Sequence, residues 1–172
     1  YAADATVVNA DFARAMTRLV PDALRKRWSD KKIASRRFSC STFMLYLGLD
    51  GCYDSVPHHN IYLAENYRDN LADIERRHCL SADPSMYVQN ASVTDPSLAP
   101  KDMSTLYVLI PVSHKHPNIN WKKEAPAFRE VAINQLEKLG IKNVRARIRY
   151  EKMVTPDDWQ EEYAIYRGAT FN

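Results

Sequence analysis

Residues 104–112 read STLYVLIPV, a run without a single charged side chain. A short apolar run that contains aromatic and β-branched residues is typical of a strand with both faces buried. The longest uncharged apolar part, residues 106–112, is far shorter than the roughly 20 residues that a membrane-spanning helix needs. We therefore predict that this run is a central strand of a β-sheet.

Segments on either side of this run predict the rest of the sheet. Residues 38–49 place Phe43, Leu45 and Leu47 on one face, as a strand does. Residues 144–150 alternate apolar residues with arginines, which predicts a strand with one basic side. In chain order, we expect strands at residues 6–8, 38–49, 60–64, 85–91, 104–112 and 144–150.

Helical spacing and cap residues predict five helices between these strands. In the strongest pattern, Phe128, Ala132 and Leu136 share one face. Asn120 and Gly140 mark its two ends. The other helices are expected after Asp11, over residues 22–34, around residues 67–74 and after Thr155. Interleaved strands and helices without repeats predict an α+β or mixed α/β fold, in which helices cover a mostly antiparallel or mixed β-sheet. We expect residues 1–172 to form a single domain.

The composition excludes several classes of protein. With 45% apolar and 26% charged residues, the chain resembles an ordinary globular protein rather than a disordered one. A net charge of +3 is weak for a nucleic-acid binder, so we expect no nucleic-acid partner. Cys40, Cys52 and Cys79 show neither CxxC spacing nor an even count, so no disulfide framework is indicated. The first residues do not resemble a signal peptide, and we expect a cytoplasmic protein.

Basic residues concentrate in two stretches, residues 25–37 and 138–152. The first contains a tryptophan, and such a stretch can lie on an anionic membrane surface because Lys and Arg attract lipid phosphates and Trp favours the interface. A solvent-exposed helix face would explain the same residues, and composition alone favours that simpler interpretation. For the arginines of residues 145–149, a solvent-facing sheet edge is likewise the simpler interpretation.

The sequence carries little catalytic signal of its own. His58 and His59 are adjacent, and His114 and His116 lie two residues apart, but no acidic or cysteine partner stands at ligand spacing, so we predict no metal site. Only four glycines occur, and no GxGxxG or GxxxxGK follows a strand. We therefore expect no nucleotide-binding loop and assign no catalytic residue.

Seven short segments follow one another along nearly the whole chain. They are VVNAD (7–11), VPHHN (56–60), SMYVQN (85–90), TDPSLAP (94–100), LYVLIPV (106–112), TPDDW (155–159) and YRGATFN (166–172). In this order and spacing they resemble the carotenoid desaturase family of the bacterial phytoene desaturase type. The resemblance implies an internal fragment, the substrate-domain part of an FAD-dependent amine-oxidase-like fold.

What the resemblance implies about function is an FAD-dependent oxidoreductase, a phytoene dehydrogenase that desaturates phytoene or a related polyene lipid. The family holds its flavin with an N-terminal Rossmann motif and a C-terminal glycine-rich motif, and both are missing here. FAD is therefore expected in the intact protein and not on this fragment, which we expect to be inactive alone.

The resemblance also implies roles for particular residues. Those expected near the flavin of the intact protein are Asn9, Asp11, Gly168 and Phe171. Those expected to line a hydrophobic substrate tunnel are Tyr46, Tyr87 and Leu109. Helix capping and core packing are the simpler alternatives for these residues.

A substrate confined to membranes favours peripheral membrane association of the intact protein. The residues expected at the membrane surface are Arg25, Lys26, Arg27 and Trp28, with Trp28 as the anchor. An exposed apolar surface on the fragment makes a homo-oligomer possible. Three alternatives within the same superfamily stay open, namely a carotenoid isomerase, a polyene oxygenase and a retinol saturase. A non-catalytic binding or interaction module is a fourth alternative, from another class.

Overall fold

The computed structural model describes residues 2–171, which fold into a five-stranded antiparallel sheet with helices around it. The strands are β1 (Ser41–Asp50), β2 (His59–Tyr62), β3 (Met86–Asn90), β4 (Met103–Val112) and β5 (Ile148–Val154). Their order in the sheet is β2-β3-β4-β1-β5, so β4 and β1 are central and β2 and β5 are edges. Every strand pair in the described chain is antiparallel, which confirms the α+β class.

Six α-helices accompany the sheet. They are α1 (Phe12–Leu19), α2 (Asp30–Ala34), α3 (Tyr67–Ala72), α4 (Trp121–Lys138), α5 (Val144–Arg147) and α6 (Pro156–Glu161), and a π-helical turn (Asp73–Arg77) extends α3. Asp11 caps α1 and Thr155 caps α6, as predicted. Residues 6–8, predicted as a strand, have no regular structure. The helix predicted over residues 22–34 is interrupted, because Lys26 has a φ of 37° and a new helix begins after the Ser29 cap.

The hydrophobic core lies between one face of the sheet and α4. The ring of Phe43 on β1 stacks on Trp121, with centroids 5.6 Å apart, and meets Phe128 edge-to-face at 5.1 Å. Ala132 and Leu136 continue this buried face of α4, which confirms the predicted helix. Burial of each large apolar side chain contributes about 1.5–3 kcal/mol, so this contact supplies much of the driving force for folding.

The second face of β4 is less buried than its sequence predicts. Leu106, Val108 and Ile110 point into the core and are almost completely buried, whereas Tyr107 and Leu109 point the other way and are only half-buried. The apolar run therefore does not have two fully covered faces. Its outer side chains form a surface on the side of the sheet opposite α4.

The prediction of a strand over residues 144–150 is wrong for the first half of that segment. Val144–Arg147 form a helical turn, and the strand begins only at Ile148. Alternation over so few residues fits a turn of helix followed by a strand as well as a strand alone, and Val144 is buried in either case. Arg145 forms ion pairs with two glutamates of α4, and Arg149 pairs with Asp50 on β1, so these side chains cross-link elements rather than form a free basic edge.

Asp83 connects the segment between β2 and α3 with α4. Its carboxylate accepts hydrogen bonds from the Tyr62 hydroxyl at 2.6 Å and the Glu65 N–H at 2.8 Å. From α4, the side chains of Gln135 and Lys138 donate to the same group. Burial by itself raises the pKa of Asp83, but these donors outweigh it and hold the pKa well below its usual range.

Gly168 allows the C-terminal segment to lie directly against α6. Its φ is 62°, and a Cβ atom at this position would lie 2.2 Å from the carbonyl oxygen of Pro156. Gly140, at the end of α4, also has a positive φ of 88° but has no atom within 4 Å of such a Cβ. The two glycines therefore separate the effect of backbone strain from the effect of close packing.

We predict that Asp83→Asn lowers the free energy of unfolding at neutral pH by about 1–3 kcal/mol, because a charged acceptor of four donors is lost. Since the pKa of Asp83 is lower in the folded than in the unfolded chain, its contribution is present above about pH 4 and is lost as the pH falls. Urea denaturation at several pH values should show a weaker acid dependence in Asp83→Asn. Asp54→Asn, at an exposed carboxylate, is the control, and equal acid dependence in both variants would contradict the prediction.

We also predict that Gly140→Ala costs about 1 kcal/mol, the strain of a left-handed alanine, whereas Gly168→Ala costs at least twice as much. The additional loss comes from the collision with Pro156. Urea midpoints of the two variants measure the difference. Equal midpoints would mean that the C-terminal segment does not pack against α6 as described.

Candidate functional site

The sheet face opposite α4, here called the open face, collects the predicted tunnel residues. Tyr46 on β1 is the cross-strand partner of Tyr107 on β4, and Tyr87 on β3 is the partner of Leu109. Side chains of directly opposed residues point to the same side of a sheet. Tyr46, Tyr87 and Leu109 therefore share one surface, and Tyr107 lies between them.

Three tyrosines form a row across the middle of the open face. The rings of Tyr46 and Tyr107 have centroids 5.5 Å apart, and those of Tyr107 and Tyr87 are 6.1 Å apart, both in edge-to-face arrangements. Burial raises the pKa of Tyr46 and of Tyr107, so these phenols stay uncharged at neutral pH. Tyr107 was not named as a site residue from the sequence, although strict alternation along STLYVLIPV places it beside Leu109. We call these three side chains the tyrosine row.

An apolar groove begins where the tyrosine row reaches β3. It is a cavity of about 210 Å³ between the edge strand β2, strands β3 and β4, and helix α3. Its most exposed walls are Ile61 and Leu63, at 70% and 62% exposure, and Tyr67 and Leu71 of α3 face it from the other side. Large aliphatic side chains grouped at this level of exposure are typical of a binding surface.

The apolar groove and the tyrosine row form one continuous surface, because Tyr87 belongs to both and its cross-strand partner Leu109 also lines the groove. Neighbouring strands lie about 4.8 Å apart, so the surface from β2 to β1 crosses three strand intervals, roughly 14 Å. Among the residues that the structure describes, no charged side chain lines the groove. Apolar and aromatic side chains of this kind suit the binding of a long hydrocarbon.

The adjacent histidines at the border of this surface have structural partners. Nδ1 of His58 lies 2.7 Å from the Thr94 hydroxyl, and Nδ1 of His59 lies 2.7 Å from the Tyr87 hydroxyl. The His59 bond joins β2 to β3 and orients the Tyr87 ring, whereas the His58 bond joins the residue before β2 to the segment after β3. Within residues 2–171, no group of three His, Cys, Asp or Glu side chains is arranged to hold a metal ion.

Three of the residues expected near a flavin, Asp11, Gly168 and Phe171, already have other contacts. The Asp11 carboxylate accepts the Arg14 N–H at 2.7 Å as the cap of α1, and the neighbouring Asn9 is exposed. The backbone N–H of Gly168 donates to the Ile165 carbonyl, and that of Phe171 donates to the Ser39 hydroxyl. The N–H groups of Gly168 and Phe171 are thus already engaged and are not available to cradle a dinucleotide pyrophosphate.

The structure corrects the assignment of Arg25 to a membrane surface. Arg25 is only 8% exposed, and its guanidinium forms ion pairs with Asp22 and Asp30. Lys26 and Arg27 are exposed, whereas Trp28 is half-buried and packs edge-to-face on Phe12 at 5.1 Å. In the described part of the chain, no helix has both the length and the apolar character needed to cross a membrane.

Comparison with known proteins relates the chain to one enzyme family. No family model matches the chain. It is 44% identical over 98% of its length to a 4,4'-diapophytoene desaturase (4,4'-diapolycopene-forming) of a Methylomonas species. It is 46% identical over 99% of its length to an all-trans-zeta-carotene desaturase of Myxococcus xanthus, and 32% identical over 99% to a neurosporene-forming phytoene desaturase of Rhodobacter capsulatus. The chain spans about a third, 33%, of the length of each of these relatives. Over that third, the chain belongs to the carotenoid desaturase family.

Proposed function

We propose that this chain is the substrate-binding segment of an FAD-dependent carotenoid desaturase and that its open face holds part of the polyene. The observation that carries the proposal is the continuous surface formed by the apolar groove and the tyrosine row. The relatives are named for desaturation of carotenoids, and such hydrocarbons offer a protein only apolar and π contacts. The open face presents both kinds of contact.

The contribution of this segment is to bind and orient the hydrocarbon and to exclude water from it. Apolar area removed from water contributes about 25 cal/mol per Å², which favours a ligand that covers Ile61 and Leu63. The edge-to-face rings of the tyrosine row fix the direction in which a flat conjugated chain can lie. When the polyene is held in one position, a single bond faces the reactive group at a time. Such a surface can contribute to catalysis by positioning the substrate in this way.

FAD, when bound, would take up the hydride equivalent that desaturation releases. Because the N–H groups of Gly168 and Phe171 and the carboxylate of Asp11 are already engaged, we propose that the residues that hold FAD lie outside this chain. Proximity of these three residues and Asn9 to the flavin remains part of the proposal, with Phe171 and its 57% exposed side chain as the best placed to contact a neighbouring domain.

We further propose that the protein docks on the cytoplasmic surface of a membrane, where a polyene hydrocarbon is dissolved. Exposed Lys26 and Arg27 and the adjacent Trp28 support this docking, since cations and an indole ring together favour the lipid–water interface. Arg25 is excluded from the contact by its burial. The protein would take its substrate from the membrane without spanning it.

The test compares a charge placed in the groove with the same charge placed elsewhere. Ile61→Lys should weaken the binding of ζ-carotene, delivered in detergent micelles, about tenfold or more, because an apolar contact is lost and an ammonium group enters the groove. Ile61 is highly exposed on an edge strand, so the variant is expected to fold. Quenching of intrinsic fluorescence by the carotenoid measures the affinity.

Leu98→Lys is the matched control, because Leu98 is also an exposed leucine-sized aliphatic residue, at 53%, but lies in a turn outside the groove. Its affinity for ζ-carotene should stay within twofold of the unchanged protein. Equal affinity of Ile61→Lys and Leu98→Lys for ζ-carotene would show that the groove does not bind the carotenoid.

A further inference from the structure

Two cavities meet at Arg36, Arg37 and Phe38, on the part of the molecule that carries α2. The first cavity, of about 380 Å³, is walled by the apolar side chains of Phe12, Trp28 and Ile33 together with these three residues. The second, of about 330 Å³, continues past the same three residues to His78 and His114. One end of the combined space is therefore apolar and the other polar, with two guanidinium groups at the junction.

The apolar cavity is shaped by aromatic rings. Phe12 lies edge-to-face on Trp28, and Ile33, which is only 2% exposed, closes the cavity from α2. Phe12 itself is half exposed, so the cavity is open to an entering chain. A methylene chain laid along these side chains gains about 0.8 kcal/mol for each buried CH₂ group.

The two arginines at the junction are not neutralised by the protein. Within residues 2–171, neither Arg36 nor Arg37 forms an ion pair, whereas Arg25 in the same segment is paired with two aspartates. The Arg36 guanidinium lies 5.5 Å from the centroid of the Trp28 ring, which holds it at the mouth of the apolar cavity. A guanidinium group binds phosphate oxygens in a bidentate manner, so two adjacent ones favour a phosphate ligand.

The polar cavity contributes hydrogen-bonding groups and little opposing charge. Burial lowers the pKa of His78 and of His114, so both rings are neutral at pH 7. Among residues 2–171, Glu75 is the one carboxylate on the lining of this cavity. The two arginines against this single described carboxylate give the described lining a net positive charge.

We propose that this double cavity binds one anionic phospholipid, with its phosphate at Arg36 and Arg37 and one acyl chain along Phe12, Trp28 and Ile33. The inference deepens the proposed membrane docking and rests on it, because it replaces a diffuse attraction to an anionic surface by a site of defined stoichiometry. An amphiphile is required by the combination of a basic junction with an apolar cavity. A free phosphate leaves the apolar cavity unfilled, and a neutral hydrocarbon leaves the two charges unpaired.

The first experiment uses the unchanged protein and three soluble probes, measured by titration calorimetry. Short-chain phosphatidylglycerol below its micelle-forming concentration should bind with a stoichiometry of one. Glycerol phosphate, which lacks the chains, and short-chain phosphatidylcholine, which lacks the net charge, should each bind at least tenfold more weakly. Equal binding of glycerol phosphate would overturn the role of the apolar cavity, and equal binding of phosphatidylcholine would overturn the role of the arginines.

The second experiment removes the two charges. Each Arg or Lys at a lipid surface contributes about 1 kcal/mol, or about fivefold in affinity, so the double variant R36Q/R37Q should bind short-chain phosphatidylglycerol about 25-fold more weakly. The control variant K122Q/K123Q loses the same charge from exposed positions at the start of α4 and should bind within twofold of the unchanged protein. Both arginines are exposed, and circular dichroism checks that each variant folds.

Sedimentation with phosphatidylcholine vesicles, with and without phosphatidylglycerol, distinguishes the proposed lipid site from the proposed membrane docking. Loss of binding to anionic vesicles in R36Q/R37Q, with binding retained in K122Q/K123Q, supports the lipid site. Undiminished binding of that variant overturns the site and leaves membrane docking standing. Failure of the unchanged protein to bind either kind of vesicle, while short-chain phosphatidylglycerol still binds, overturns the docking proposal and not the site.

Discussion

The antiparallel pairing of β1 with β4 is the interaction on which the rest of the structure depends. It joins Ser41–Asp50 to Met103–Val112 in a register without interruption, from Ser41 opposite Val112 to Asp50 opposite Met103. Because side chains alternate along each strand, this register fixes two faces at once. It directs Phe43 towards α4, and it places Tyr46 beside Tyr107 on the open face. A shift of one residue would bury the tyrosines and expose the core.

Helix α4 makes the two faces of the sheet unequal in their burial. It covers one side of the central strands. On the opposite side, α3 reaches the β2–β3 end of the sheet. At the start of β1, where Thr42 and Met44 are buried, the Trp159 indole of α6 donates to the Thr42 carbonyl. Asp83 holds the segment before α3 by hydrogen bonds to Tyr62 and to the Glu65 N–H. These bonds keep α3 beside the sheet, so the exposed aliphatic side chains between them stay available to a ligand. The apolar groove is thus a consequence of unequal coverage by the helices.

Much of this arrangement follows from the sequence, and the exceptions have physical causes. Helix α4 was predicted because Phe128, Ala132 and Leu136 repeat at helical spacing, and its end at Gly140 was predicted because glycine accepts a positive φ. Residues 144–147 were assigned to a strand because an alternating pattern over so few residues does not distinguish a helical turn from a strand. Arg25 pairs with Asp22 and Asp30, three and five residues away, because the chain turns at Lys26, whose positive φ the helical pattern does not predict. The tunnel residues came from a family resemblance, and only the strand register shows that they share a surface with Tyr107.

The central claim is that the open face of this chain binds part of the polyene. Methyl NMR of protein labelled at isoleucine and leucine tests it directly, by comparing spectra in micelles with and without ζ-carotene. The account predicts shifts at Ile61, Leu63, Leu71 and Leu109, with the core methyls of Ile133 and Leu136 unchanged. Unchanged groove methyls together with shifts at Leu19 and Leu24, which are exposed on the N-terminal segment, would contradict it.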